Sequence, residues 1–492
     1  MNEQVAASEN RQTFKTVGRI LGPLVFLIML ASNESQSVMN PVAWKTAGVG
    51  LWMAIWWASE AIPVPVTAFL PLVLFEPLQI TSLRSAAAAY ANPIIYLFLG
   101  GFMMALALER WNLHRRISLA ILERTGTDGR RLVGGFMLVC ALLSMWMTNT
   151  STTMMLLPIV LSVIAVIHEN VSDLSEKNRD NFQIAMLLGL AYAASIGGLA
   201  TLIGTPPNAF LIGYLAENYQ IEISFARWMA VGIPLTIIML PVAWILLTRV
   251  LFPISIPENA AVSAHLQSLR SQLGPMTSAE KRVAVIFGTV VLCWMLRRPL
   301  INELGLTGVS DAGIVMFAAI ALFLIPSGTE KGTPLMTWDY VSRLPWGVLI
   351  LFGGGLSLAA AVSGSGLALW LGQSLAPLNA LGIVVLVVAA CALVIFLTEL
   401  TSNLATTATL LPVMGAIAVQ AGLPPLILTV PITITASCAF MLPVATPPNA
   451  IVFSTGQVSI GQMARAGIWL NLFGIVFVSL IALYVAPALL GA

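Results

Sequence analysis

Apolar runs long enough to cross a bilayer, about 20 residues each, recur from Val17 to the C-terminus and narrow the possible folds more than any other feature. Hydrocarbon offers no partner to a backbone N–H or C=O, so segments of this kind must be helices or the strands of a closed barrel. The runs are too long and too uniformly apolar for alternating barrel strands. They fall near residues 17–33, 44–61, 63–76, 92–112, 131–167, 181–215, 228–252, 282–296, 311–326, 345–372, 382–420, 424–457 and 466–490. Composition agrees: 58% of residues are hydrophobic and 9% charged, against roughly 25% charged in a soluble domain. The chain is expected to be an all-α polytopic membrane protein. A net charge of +2 gives no ground for a nucleic-acid partner. Cys140, Cys293, Cys391 and Cys438 lie in apolar stretches at unrelated spacings, which reads as small buried hydrophobes and neither disulfides nor a zinc site. The polar start MNEQVAASENRQTFKTVGR lacks the short apolar core and cleavage site of a signal peptide, so the first run is expected to be retained as a helix.

Two runs, 131–167 and 382–420, are interrupted by polar knots: TNTSTTMMLLP from Thr148 and TSNLATTATLLP from Thr401. A polar break in the membrane has to lie within protein or line a wet cavity. Each block is therefore expected to be a re-entrant hairpin whose tip stops near the midplane, beside about 11 transmembrane helices. Counting each hairpin as no net crossing, with Arg11, Lys15 and Arg19 inside, also places inside the basic loops at 115–131, 177–179, 253–281, Lys331 with Arg343, and Arg465. The uncharged 373–382 loop falls outside, and Arg297 and Arg298 are the exception to the rule. The N-terminus is thus expected in the cytoplasm.

The chain also repeats itself. A shift of 254 pairs Gly100-Gly101 with Gly354-Gly355, Asn149 with Asn403 and Pro158 with Pro412, and a shift of 241 pairs GTPPNAFLI from Gly204 with ATPPNAIVF from Ala445. The difference fits a shortening of the loop that reads HENVSDLSEKNRD in the first half. An odd number of crossings separates the copies, so the halves are inverted, a pattern of secondary transporters. The divisions are N-terminal scaffold helices over 1–91, a first repeat over 92–252 with hairpin 131–167 and broken helix 181–215, linker and scaffold helices over 253–344, and a second repeat over 345–492 with hairpin 382–420, broken helix 424–457 and a last helix.

Asn149 and Asn403 stand at the tips, with Ser144 and Thr398 five residues before them and Thr148 and Ser402 directly before them. Side-chain oxygens and the carbonyls freed at a helix break make a neutral cage of hard oxygens, suited to Na⁺. The TPPN stretches remove two backbone donors and free carbonyls around Gly204 and Ala445. The same breaks can receive an anion, because helix N-termini carry partial positive charge and unpaired N–H groups. Neither tip nor either TPPN stretch holds a basic residue, so a bound anion would gain from co-bound cations.

The remaining polar and aromatic residues have plainer readings. Hydroxyls in membrane helices often bond only to the preceding turn, but duplication at consistent shifts favours a site. Gly353, Gly354 and Gly355 read as close helix packing. Met145, Trp146, Met147 and the Trp56-Trp57 pair read as packing or interfacial anchors, and His114, His168 and His265 as solvated loop residues. Glu60, Asp311 and Glu399 are acids near or within spans, functional candidates by position. Glu399 could carry a proton or tie down the second hairpin. Met145 at the equivalent place in the first half favours the structural role.

With two hairpins, two Ser-Asn-Thr-like tips and two TPPN breaks, nearly the whole chain resembles the divalent anion:sodium symporter family, whose members carry dicarboxylates, citrate or sulfate. The resemblance implies a first sodium at Ser144, Thr148, Asn149 and Gly204, and a second at Thr398, Thr401, Asn403 and Ala445. It places the anion against Asn149, Thr150, Ser402, Asn403, Thr446 and Pro447. It further implies a homodimer that moves a transport domain past a fixed scaffold, an elevator motion; separately, a compact chain without a long extracellular glycosylated loop suits a bacterial inner membrane. The first tip reads Thr-Asn-Thr and keeps its hydroxyls; the second reads Ser-Asn-Leu, with Leu404 where the family has a substrate-facing threonine. The leading expectation is Na⁺-driven uptake of a C4-dicarboxylate such as succinate, with no cofactor beyond the coupling ion. Alternatives on the same scaffold are a sodium-independent exchanger, a citrate or sulfate symporter, and proton symport through Glu399. A channel should show a continuous polar stripe and an enzyme a His, Cys or acid cluster at a tip, and the sequence shows neither.

Overall fold

The computed structural model describes residues 2–170, 175–305, 308–329, 332–375 and 382–490. Among these residues the protein is helical throughout, and its one β-type contact is an isolated bridge between Pro326 and Pro334. The first part contains α1 (Asn2–Ala31), α2 (Pro41–Ser59), α3 (Val64–Thr67), α4 (Leu70–Leu74), α5 (Leu83–Ala88), α6 (Pro93–Arg110) and α7 (Leu113–Thr125). Then come α8 (Gly129–Ser144), α9 (Asn149–Asn170), α10 (Glu176–Gly198), α11 (Pro206–Tyr219), α12 (Phe225–Ile245), α13 (Ala260–Ser271), α14 (Ser278–Leu304), α15 (Asp311–Leu324) and α16 (Trp338–Val341). The last part holds α17 (Trp346–Gly364), α18 (Leu367–Leu375), α19 (Ile383–Leu397), α20 (Asn403–Gln420), α21 (Leu426–Ala436), α22 (Pro447–Ser454), α23 (Ile460–Leu480) and α24 (Ala486–Leu490).

Eight helices among the described residues are long and apolar enough to cross a bilayer, and four shorter apolar helices accompany them. Two expected spans are divided. The 63–76 run becomes α3 and α4, each opened by a proline near its start (Pro65, Pro71). The 345–372 run ends at Gly364, where Gly366 at φ +81° turns the chain into α18. Residues 376–381 of the 373–382 loop and 171–174 of the 168–180 loop lie outside the described residues, as does Lys331. The basic loops at 115–131, 177–179 and 253–281 gather at one end of the bundle: Arg116 pairs with Glu280 at 3.1 Å, Arg131 with Glu258 at 3.3 Å, Arg130 Nε donates to Ile254 O at 2.8 Å, and Asn178 Oδ1 accepts from Ser255 N at 3.2 Å.

The packing that positions the two knots follows from small residues. Cys140 Sγ donates to Leu190 O (3.3 Å) and Ser144 Oγ to Ala194 O (2.7 Å), so the contact advances four residues along both helices and α8 runs parallel to α10. Gly197 permits this approach, since a Cβ there would collide with the Ala141 backbone. Helix α9 returns from the end of α8 towards the start of α10. The halves interlock: α9 of the first packs on α22 of the second, and α11 of the first on α20 of the second. The Gly353-Gly354-Gly355 run is a packing seam, tight against the Tyr90 ring, the Ala68 carbonyl and the Phe210 ring. The four cysteines are free, three of them buried.

Several side readings gain partners. Trp146 stacks on Phe225 with centroids 6.1 Å apart. Glu60 pairs with Lys15 at 3.4 Å, and Asp311 accepts from Phe225 N at 2.9 Å beside Arg297. His114 differs from its expected solvation. It lies buried at the α6–α7 corner with Nδ1 at 3.1 Å from Leu108 O, and burial holds its imidazole below the ordinary range. His265 contacts Ser162 Oγ at 3.0 Å.

Candidate ion and anion site

Several helices that begin in loops carry side-chain caps, although α7, α16 and α19 do not. Asp128 accepts from Arg131 N, Ser224 from Arg227 N, and Thr277 with Glu280 and Ser459 with Gln462 form capping boxes. Of the four helix starts next to the polar breaks, two are capped by their threonines, α9 by Thr148 and α22 by Thr446. The side chains of Thr205 before α11 and Ser402 before α20 accept no hydrogen bond from their helices. Their hydroxyls, and the first N–H groups of α20, are left for another partner; α11 opens with Pro206 and Pro207, which have no N–H, and its Asn208 N donates to Thr205 O at 3.2 Å.

In the first knot, Ser144 Oγ lies 2.8 Å from Asn149 Oδ1 and 2.7 Å from Ala194 O. Facing this way, the Asn149 oxygen meets only acceptors. Turned over, its nitrogen would donate to Ser144 Oγ (2.8 Å), Ala194 O (3.1 Å) and Gly204 O (3.2 Å). A hydroxyl has one proton to give, so the cluster is balanced either with the amide turned to donate to the other three oxygens or with a cation among all four. The second knot repeats this arrangement: Thr398 Oγ1 lies 3.0 Å from Asn403 Oδ1 and 2.8 Å from Ala436 O. Neutral oxygens converging without a carboxylate or imidazole suit a hard monovalent ion.

The broken helices supply the carbonyls, and an asparagine holds each break. Asn208 Nδ2 donates to Gly198 O (3.2 Å), Leu199 O (3.4 Å) and Thr201 O (2.8 Å); Asn449 Nδ2 donates to Ala439 O (3.2 Å) and Leu442 O (3.0 Å). Both amides are fully buried. With those carbonyls engaged, the Gly204 carbonyl is the one of its loop set against the first knot. Gly198 and Gly204 allow the contact: a Cβ on Gly198 would stand 2.5 Å from Asn149 Oδ1, and one on Gly204 would stand 2.5 Å from Gly198 O.

The structure thus brings together Ser144, Asn149 and Gly204, and likewise Thr398 and Asn403. It turns other nominated residues elsewhere. Thr148 Oγ1 caps α9, accepting from Ser151 N at 3.1 Å, and Thr401 Oγ1 pairs with Thr406 Oγ1 at 2.5 Å. Ala445 N donates to Leu442 O at 3.2 Å within the break. Among the anion candidates, Thr150, Ser402 and Asn403 are half-buried, Pro447 is exposed, and Thr446 Oγ1 accepts from Asn449 N at 3.3 Å. Leu404 is buried, unlike its counterpart Thr150. Reading by residue type missed the carbonyls of Ala194 and Ala436, because a backbone oxygen leaves no mark in sequence. It also passed over Asn208 and Asn449, although their place three residues after a duplicated threonine was a usable signal. A cavity of about 370 Å³ lined by Ser224, Arg227, Trp294 and Arg297 shares no residue with either knot.

This geometry meets its relatives at the level of sequence. The family described as the sodium:sulfate symporter transmembrane region matches residues 15–490. The chain belongs to this family of divalent anion:sodium symporters. It is 41% identical over 497 residues to a sodium-dependent dicarboxylate transporter, SdcS, of Staphylococcus aureus strain MRSA252, covering 98% of this chain and 94% of that protein. An SdcS of Staphylococcus saprophyticus is 41% identical over 478 residues, covering 96% and 92%. Among solved structures, the YdaH transporter of Alcanivorax borkumensis shares the fold with a TM-score of 0.56 at 14% identity, covering 88% of this chain and 97% of that one. The chain is a multi-pass membrane transporter and not an enzyme.

Proposed function

We propose that this protein couples inward movement of Na⁺ to uptake of a divalent anion, most specifically a C4-dicarboxylate such as succinate. The observation that carries the reading is the oxygen knot built twice, Ser144 with Asn149, Ala194 O and Gly204 O, and Thr398 with Asn403 and Ala436 O. The names of the relatives, sodium-dependent dicarboxylate transporters at 41% identity over almost the full length, support both ion and substrate class.

Each knot takes one Na⁺ by replacing lost water with side-chain and backbone oxygens. The anion lies against the starts of α9 and α20, where Asn149, Thr150, Ser402 and Asn403 offer amide, hydroxyl and backbone donors; Thr446 and Pro447 at the start of α22 complete the set. Because no Lys or Arg stands at 148–153, 204–209, 402–407 or 445–450, the charge of the anion is balanced by the ions in the knots. Empty knots therefore bind anion weakly, which is the physical origin of the coupling. Thr148 and Thr401 support their tips from outside the oxygen clusters, through the Ser151 and Thr406 contacts.

In this reading the α8–α9 and α19–α20 pairs are re-entrant hairpins, entering from opposite faces of a bacterial inner membrane. The end with the basic loops and the N-terminus faces the cytoplasm. The interlocked halves move as one body past α1–α5 and α14–α16 in an elevator motion, within a homodimer. The test is labelled succinate uptake into proteoliposomes with an inward Na⁺ gradient or with K⁺ in its place, and with malate, citrate and sulfate as competitors. Uptake that requires Na⁺ and is competed by C4 acids is expected. Sodium-independent uptake that needs internal dicarboxylate would replace this reading with exchange.

A further inference from the structure

Glu399 is 3% exposed and follows Thr398 of the second knot directly in the chain. Every hydrogen-bond partner the structure gives its carboxylate is a donor. Oε1 accepts from Phe440 N (2.8 Å), Met441 N (2.9 Å) and Asn471 Nδ2 (2.8 Å), and Oε2 from Met441 N (3.1 Å) and Leu442 N (3.0 Å). Helix α21 ends at Ala436, so these three successive N–H groups have no helical carbonyl to bond. An ionised carboxylate is an acceptor-only group with lone pairs enough for such a set. The same stretch turns its carbonyls the other way: Ala436 O to Thr398, and Ala439 O and Leu442 O to Asn449. Glu399 holds the donor side of the break while the knot uses the acceptor side, and Asn471 ties both to α23.

The first half has no counterpart. Met145 stands at the equivalent position, and the 199–205 break is held by neutral groups: Thr201 Oγ1 donates to Met145 O (2.5 Å) and Trp228 Nε1 to Leu199 O (3.1 Å). We infer that Glu399, seated by Asn471, is a positioning residue that pre-forms the second sodium knot and makes the two ion sites inequivalent, the second being the tighter. Its grip on residues 440–442 keeps the loop carbonyls in place before an ion arrives. This role rests on the sodium-coupled reading above.

The test uses the full-length protein with Glu399→Gln and Asn471→Leu. Glutamine keeps the size but turns an NH₂ group towards three backbone N–H groups, so the break must rearrange. In proteoliposomes, the apparent Na⁺ affinity of Glu399→Gln should fall about tenfold or more and the steepness of its Na⁺ dependence should drop. Succinate KM at saturating Na⁺ should move less than about twofold. Asn471→Leu should shift the Na⁺ curve in the same direction by less. In detergent, added Na⁺ should raise the Tm of either variant less than it raises that of the wild type. A folded variant with the wild-type Na⁺ curve overturns the proposal, and so does an equal loss in Na⁺ affinity and succinate KM, the signature of general loosening. If Glu399→Gln cannot be recovered folded, Asn471→Leu decides by the same criteria. Wild-type uptake indifferent to Na⁺ would instead remove the coupled reading itself, whereas a sodium-dependent wild type with unaltered variants removes only the role of Glu399.

Discussion

Replacing Gly198 by alanine places one methyl group against the first knot. Its Cβ would stand 2.5 Å from Asn149 Oδ1 and 3.1 Å from Gly204 O, the first closer than carbon and oxygen tolerate. Gly198 closes α10 without a positive φ, so alanine brings no backbone strain, and the whole effect falls on the knot oxygens. Overpacking of this kind costs about 1–3 kcal/mol, equivalent to about a 5- to 150-fold loss of Na⁺ affinity at that knot. The assay is the Na⁺ dependence of succinate uptake, paired with the Na⁺-induced rise in Tm. Ala439 occupies the same place in the second half at the shift of 241, so the second break already accommodates a methyl group there. A folded Gly198→Ala protein with wild-type Na⁺ affinity would show that no ion is held between Asn149 and Gly204, and the assignment of the first knot would fail.

Ser144→Ala and Thr398→Ala each remove one oxygen and should weaken Na⁺ dependence by about 0.5–1.5 kcal/mol, with Ser144→Thr and Thr398→Ser restoring most of it; identical Na⁺ curves in the alanine variants would contradict an oxygen cage. Asn208→Ala frees three loop carbonyls and Asn449→Ala two, so thermal unfolding should show losses of about 2–4 kcal/mol, larger for Asn208; wild-type stability in both would refute their role as clamps. Burial keeps His114 neutral in the fold below its ordinary range, so the unfolded chain takes up the proton first as acid is added. Stability should therefore fall as pH drops from about 6.5 towards the lowered native value, and His114→Gln should flatten that part of the Tm–pH curve. An unchanged slope would show that another group sets the acid response.

Much of this architecture was legible because hydrocarbon imposes a strict rule on the backbone. Apolar runs had to be helices, and a duplicated polar break in two of them had to be protein-lined, so Ser144, Asn149, Thr398 and Asn403 could be nominated from spacing alone. Spacing does not report direction, however. Thr148 and Thr401 share the chemistry of Ser144 and Thr398, yet the local turn points them at Ser151 and Thr406. Likewise His114 looks like a polar-loop residue in the chain and is buried because the α6–α7 corner folds over it.

The sequence by itself determined the helical class, the duplication of the polar breaks and the absence of fixed positive charge at them, since each follows from residue type and period along one dimension. Only the tertiary structure decided which carbonyls complete the knots, that Asn208 and Asn449 hold the breaks, and that Glu399 grips three backbone N–H groups some 41 to 43 residues away. Those are contacts between elements distant in the chain, made largely by backbone atoms that every residue possesses. Their partners are set by how α8 lies along α10 and how the α19–α20 turn sits against the end of α21, and no residue pattern encodes that directly.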